Sequence, residues 1–128
     1  GLKCVKKIII NNMNIIGRSI QLRRLVENYH LYSDTKLISF ITNNLLKNDL
    51  SNKEFCASKL NEPVNKYEDT LLHYAVYHKR EPLIKFLIKN GADPKKANKR
   101  FETPMDLAKR YDMIDTLKKY IEVDLEVN

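Results

Sequence analysis

The side chains of this 128-residue chain that could do chemistry are few and scattered. Its histidines are His30, His73 and His78, and its cysteines are Cys4 and Cys56. A catalytic or metal role for His73 has no partner in view. Cys4 and Cys56 flank no metal-ligand spacing and sit in no nucleophile motif, so they read as reduced thiols of a cytoplasmic or nuclear protein, with a disulfide between them as the alternative. Gly1, Gly17 and Gly91 are too few to cradle a phosphate, and neither Gly-x-Ser-x-Gly nor His-Glu-x-x-His occurs. The carboxylates carry no cleft signal. These observations predict no enzyme, no cofactor and no metal.

What remains is the chemistry of recognition. The net charge of +7 suits an acidic protein surface, a nucleic acid or an anionic membrane. Lys79, Arg80, Lys85, Lys89, Lys95, Lys96, Lys99 and Arg100 face only Glu81 and Asp93 in the same stretch, whereas the tail turns acidic with Glu122, Asp124 and Glu126. Phe101 adjoins Lys99 and Arg100, a composition typical of interface hot spots.

The elements that must position these residues repeat. Thr70-Leu71-Leu72-His73-Tyr74-Ala75 and Thr103-Pro104-Met105-Asp106-Leu107-Ala108 stand 33 residues apart. Thr70 and Thr103 suit helix N-caps, and Pro104 suits a first helical position. Leu71, Leu72, Ala75 and Val76 follow at helical spacing. A second helix starts near Pro82. Its Leu83, Ile84, Phe86, Leu87 and Ile88 make it apolar around most of its circumference, so neighbours must cover it. Gly91 ends it.

This pattern resembles the ankyrin repeat over about residues 61–121. The resemblance implies an all-α fold, a solenoid of stacked helix-turn-helix units with short hairpin loops. It assigns His73 a structural role, bonding to Thr70 and to loop backbone. Asp106 replaces that histidine in the next unit, so its local bonds must differ. The resemblance also implies that hairpin tips and inner helices form a concave binding face. One tip is Asn65-Lys66-Tyr67-Glu68-Asp69, and the next is Asn98-Lys99-Arg100-Phe101-Glu102. The family places Gly where this chain has Glu68 and Phe101, which predicts distorted turns. Lys79 and Arg80 replace Gly-His at the interhelix turn. The expected partner-binding residues are Tyr67, Glu68, Tyr77, His78, Arg80, Lys99, Arg100 and Phe101. Phe101 either meets the partner or folds back onto the neighbouring hairpin, and Tyr74 is partly core.

Upstream, Leu37-Ile38-Ser39-Phe40-Ile41 echoes Leu83-Ile84-Lys85-Phe86-Leu87. The offset of 46 implies a 13-residue insertion near residues 45–60. Ser51-Asn52-Lys53-Glu54 reads there as a capping box that starts a short extra helix. One domain over 1–128 follows: a partial repeat or cap at 1–18, a degenerate repeat at 19–60, a repeat at 61–97 and a C-terminal capping repeat at 98–128. A helical extension of another kind is the alternative for 1–60. Lys109, Arg110, Asp112, Asp115, Lys118 and Lys119 make the last repeat polar outside, as a cap requires. Lys3, Lys6 and Lys7 beside Ile8-Ile9-Ile10 mimic a signal peptide, but Asn11, Asn12 and Asn14 interrupt the run and no cleavage site follows. No run approaches the ~20 apolar residues of a membrane helix. The start at Gly rather than Met reads as a fragment of a longer protein.

The function that fits is a non-enzymatic protein-interaction module, monomeric in isolation, that grips a partner with an acidic segment. The alternatives are nucleic-acid or anionic-surface binding through the basic cluster, which no groove-reading signature supports, and an architectural role inside a larger protein.

Overall fold

The computed structural model describes residues 33–127 of the chain, with side chains through residue 123. Six α-helices and no strand occur among them: α1 (Asp34–Phe40), α2 (Lys53–Leu60), α3 (Leu71–Tyr77), α4 (Glu81–Lys89), α5 (Pro104–Arg110) and α6 (Ile114–Val127). A π-helical turn (Ile41–Leu45) continues α1. Helix α3 packs on α4 and α5, α6 packs on α4 and α5, and α1 packs on α4. The result is an all-helical stack with α3 and α5 in one layer and α1, α4 and α6 in the other.

The layers meet over Leu71, Leu72, Ala75 and Val76 of α3, Leu83, Ile84, Leu87 and Ile88 of α4, Ala108 of α5 and Leu117 of α6, all buried. Helix α4 packs against α1, α3 and α6 through Leu83, Ile84, Leu87 and Ile88, but Glu81, Lys85 and Lys89 are exposed, so the helix is amphipathic and not apolar around most of its circumference as expected. Met113, Tyr120 and Ile121 are partly buried against the same core. Lys109, Arg110, Asp112, Asp115, Lys118 and Lys119 are all exposed.

The helix ends explain themselves residue by residue. Gly91 closes α4 with φ 106, while the Ala92 N–H reaches Leu87 C=O at 2.9 Å and the Gly91 N–H reaches Ile88 C=O at 3.2 Å. A side chain at Gly91 would also place its Cβ 2.7 Å from Ala57 Cβ, because α2 lies against this turn. Helices α3 and α5 end with the same bonding, Arg80 N–H to Ala75 C=O at 2.9 Å and Met113 N–H to Ala108 C=O at 2.7 Å. There the left-handed residue is Lys79 (φ 56) or Asp112 (φ 60), not glycine. A left-handed L-residue costs roughly 1–2 kcal/mol, and glycine returns part of that as unfolded-chain entropy. Lys79→Gly is therefore expected to stabilise the fold by about 0.5–1 kcal/mol. Unfolding in urea checks this, and a lower midpoint would refute it.

Upstream, the short extra helix exists as α2. Its N-cap is Asn52, whose Oδ1 accepts the Phe55 N–H at 3.1 Å, and not Ser51. Ser51 is committed elsewhere, its Oγ donating to Asp49 Oδ1 at 2.5 Å. Helix α1 and its π turn cover Leu37-Ile38-Ser39-Phe40-Ile41 and pack beside α4 as an outer-layer helix. The expected segments over 1–32, with Cys4 and His30, lie outside the described residues.

Candidate functional site

The turns before α3 and α5 are built by one device used twice. The Asn65 side-chain carbonyl accepts the N–H groups of Tyr67 (2.9 Å) and Asp69 (3.1 Å). Asn98, 33 positions on, accepts those of Arg100 (2.8 Å) and Glu102 (3.0 Å). The amide nitrogens then tie the turns together. Asn65 Nδ2 donates to Asp69 Oδ2 at 2.8 Å and to the Tyr74 hydroxyl at 2.7 Å, and Asn98 Nδ2 donates to Asp69 Oδ1 at 2.7 Å. The Lys99 N–H donates to Tyr67 C=O at 2.8 Å, joining one tip to the next.

These tips correct one expectation. Glu68 and Phe101 both take φ 61, the left-handed conformation glycine would adopt, and both turns close normally, with the Glu68 N–H on Asn65 C=O at 3.1 Å and the Phe101 N–H on Asn98 C=O at 3.0 Å. The asparagine bonds hold the turns, so the missing glycine appears as local strain rather than as distortion.

His73 locks the tips to the helices. Its Nδ1 accepts the Thr70 N–H at 2.9 Å, so Nε2 carries the proton and donates to Glu102 C=O at 2.9 Å. One buried ring thus caps α3 and clamps the following hairpin. Asp106 does half of this: it accepts the Thr103 N–H at 2.9 Å, and its own N–H donates to Thr103 Oγ1 at 3.1 Å. The backbone bond from Thr103 holds its carboxyl below the usual value. A carboxylate has no ring nitrogen to donate onward, so the long-range bond has no counterpart at this position.

Between the tips and the inner helices lies a groove of about 280 Å³. Tyr67 and Arg100 line it from the tips, Tyr77 and Tyr111 from the helix ends, with Tyr74, Leu107, Glu102 and Arg110 between them. The Arg100 guanidinium sits 4.2 Å from the centre of the Tyr67 ring, and Lys66 Nζ lies 5.1 Å from it. The hydrogen bond and charge of Lys66, with Arg100 beside it, pull the Tyr67 hydroxyl below the usual phenol value. Tyr77 and Tyr111 meet edge to face, 5.1 Å apart at 80°. Arg110 pairs with Glu102.

Of the expected partner-binding residues, the groove brings together Tyr67, Tyr77 and Arg100. Phe101, between groove residues Arg100 and Glu102, is 87 % exposed and does not fold onto the neighbouring hairpin. Glu68 and Lys99 are exposed at the tips. His78 stands outside the groove lining, half-buried, with its ring 4.8 Å from Tyr77 and 6.2 Å from Tyr74. Arg80 is also outside, bonded at 2.9 Å to Asp34 at the start of α1. The turn ending α3 carries the chain to the outer layer, and Arg80 leaves with it. Sequence reasoning missed Arg110 and Tyr111 as groove residues. The signal was available, since adding one repeat length to Tyr77 and His78 lands on them.

Among the described residues no group of three or more His, Cys, Asp or Glu side chains could hold a metal ion, and no helix is long and apolar enough to cross a membrane. Compared with known proteins, residues 72–118 match the family model for ankyrin repeats, which occur in many copies. No curated protein and no solved structure matches the chain.

Proposed function

We propose, for a chain whose residues 72–118 match the ankyrin-repeat family model, that the groove and the tips beside it grip an acidic segment of a partner protein. Ankyrin repeats are generally protein-protein interaction modules and not enzymes. The observation that carries the reading is the convergence of Tyr67, Tyr77 and Arg100 on one groove, with Phe101 exposed at its rim. Tyrosines can bury a ring and keep the hydroxyl bonded to water or ligand. Cations at the rim speed encounter with an acidic chain and fix its register. The asparagine and histidine bonds pre-form the surface, which limits the ordering cost of binding. The protein acts as a monomer, in the cytoplasm or nucleus, where Cys56 stays a buried thiol.

The test is affinity capture from native cell extract at moderate salt, comparing the chain with its Arg100→Ala, Phe101→Ala double variant. Both side chains are exposed, so thermal unfolding of the variant is expected to stay close to that of the parent. At least one captured protein is expected to be lost from the variant, with affinity falling about tenfold or more. An unchanged set of captured proteins sinks the tip-and-groove site. Capture of nucleic acid instead, lost steeply between low and moderate salt, supports the charge-driven alternative.

A further inference from the structure

We infer that the groove takes an extended, proline-containing acidic peptide in the polyproline II conformation; this rests on the partner-binding reading above and names the chemistry of its ligand. Three features narrow the choice. The first is that the backbone beside the groove is already used. The N–H groups of Tyr67, Asp69, Arg100 and Glu102 are held by Asn65 and Asn98, and that of Lys99 by Tyr67 C=O. A peptide added as a β-strand needs unpaired edge N–H groups as well as carbonyls, and these five N–H groups are already taken.

The second feature is the aromatic lining. A polyproline II segment has no internal hydrogen bonds and keeps its backbone solvated. It asks for ring faces rather than backbone partners. The Tyr77 and Tyr111 rings meet at 80° in the groove lining and form a notch, and Tyr67 also lines the groove, with Arg100 and Lys66 over its ring. Proline packs well on such faces and has no N–H to leave unbonded in the notch.

The third feature is charge. The groove carboxylates are committed within the fold, Asp69 to Asn65 and Asn98, and Glu102 to Arg110. Arg100 has no carboxylate partner among the described residues. Lys66 and Lys99 add positive charge at the same tips, which outweighs the exposed Glu68 there. A ligand carboxylate at Arg100 completes what the fold leaves open.

The experiment titrates the chain with three fluorescent synthetic peptides of equal length, repeats of Glu-Pro-Pro, Glu-Gly-Ser and Lys-Pro-Pro, and reads anisotropy. Glu-Pro-Pro is expected to bind about tenfold or more tighter than either control. Tyr77→Ala is expected to remove most of that preference and Tyr77→Phe to retain it, because the ring face carries the contact. Tyr77 is 52 % exposed, so both variants are expected to fold, which circular dichroism checks. Equal binding of Glu-Pro-Pro and Glu-Gly-Ser overturns the proline inference and leaves the acidic-segment reading standing. Equal binding of Lys-Pro-Pro and Glu-Pro-Pro overturns the acidic component. Failure of both acidic peptides to bind overturns the inference and the reading beneath it. A Glu-Pro-Pro preference untouched by Tyr77→Ala overturns the assigned notch.

Discussion

Replacing Leu87 by alanine lowers the unfolding free energy by about 2–5 kcal/mol, the range for emptying a fully buried leucine site. Leu87 is 0 % exposed and lies on α4, the helix covered by α1 on one flank and α6 on the other. The loss combines the transfer of the missing methyl and methylene groups with the cavity they leave. The site cannot collapse easily, because α4 is pinned at its far end by Gly91 against Ala57 and at its start by the Arg80–Asp34 pair. The upper half of the range is therefore expected. Equilibrium unfolding in urea reads it as a lower midpoint with an unchanged slope. A shift worth less than about 1 kcal/mol would contradict α4 as the centre of the stack.

His73→Ala is expected to cost about 2–4 kcal/mol, for a different reason. His73 is 1 % exposed, so water does not readily replace its bonds. Removing the ring leaves the Thr70 N–H without its acceptor and opens the clamp between α3 and the Glu102 carbonyl. Glu102 C=O keeps the Asn98 N–H at 2.9 Å, so the orphaned donor and the cavity dominate the loss. Two further variants divide the effect. His73→Asn places an acceptor near the position of Nδ1 and is expected to restore the cap but not the clamp. His73→Gln reaches toward the position of Nε2 and is expected to favour the clamp. Both should fall between wild type and His73→Ala in urea unfolding. Hydrogen exchange separates them, with Thr70 protected in His73→Asn and the 98–102 turn protected in His73→Gln. If all three variants unfold alike, the two bonds of the ring carry no separable weight.

Both predictions act on bonds that also shape the groove. His73 fixes the hairpin that presents Arg100 and Phe101, so His73→Ala is a stability variant whose binding loss follows from the same opening. Lys79→Gly is its counterpart, a gain in stability at a turn that lines no part of the groove. Phe101 combines the two properties. It sits in a left-handed conformation that suits glycine, yet it carries a large apolar ring in water. Strain kept at an exposed aromatic is the pattern expected where contact outweighs stability.

The helices, their caps and the repeat period were legible in the sequence because they arise from neighbours. Thr103 with Pro104, the apolar faces of α3 and α4, and the Gly91 stop each depend on residues within one or two turns. The same local logic placed a helix near Ser51, but it chose the wrong cap, because Asp49 competes for Ser51 and frees Asn52 for the helix. The long-range bonds were not legible. His73 to Glu102, Asn98 to Asp69 and Asn61 Nδ2 to Gly91 C=O (3.0 Å) join residues 29 or 30 positions apart, and residue type alone does not choose between the available partners. Arg80 shows the consequence. Its charge and position suggested a partner contact, and only the packing of α1 on α4 brought Asp34 within 2.9 Å and took Arg80 away from the groove. Tyr111 and Arg110 joined the groove by the same route, through stacking of one repeat on the next. The sequence by itself determined which segments are helical and where each turn falls, because caps, proline, glycine and apolar spacing act over a few residues. The tertiary structure decided which side chains share a surface, because that depends on how successive repeats stack.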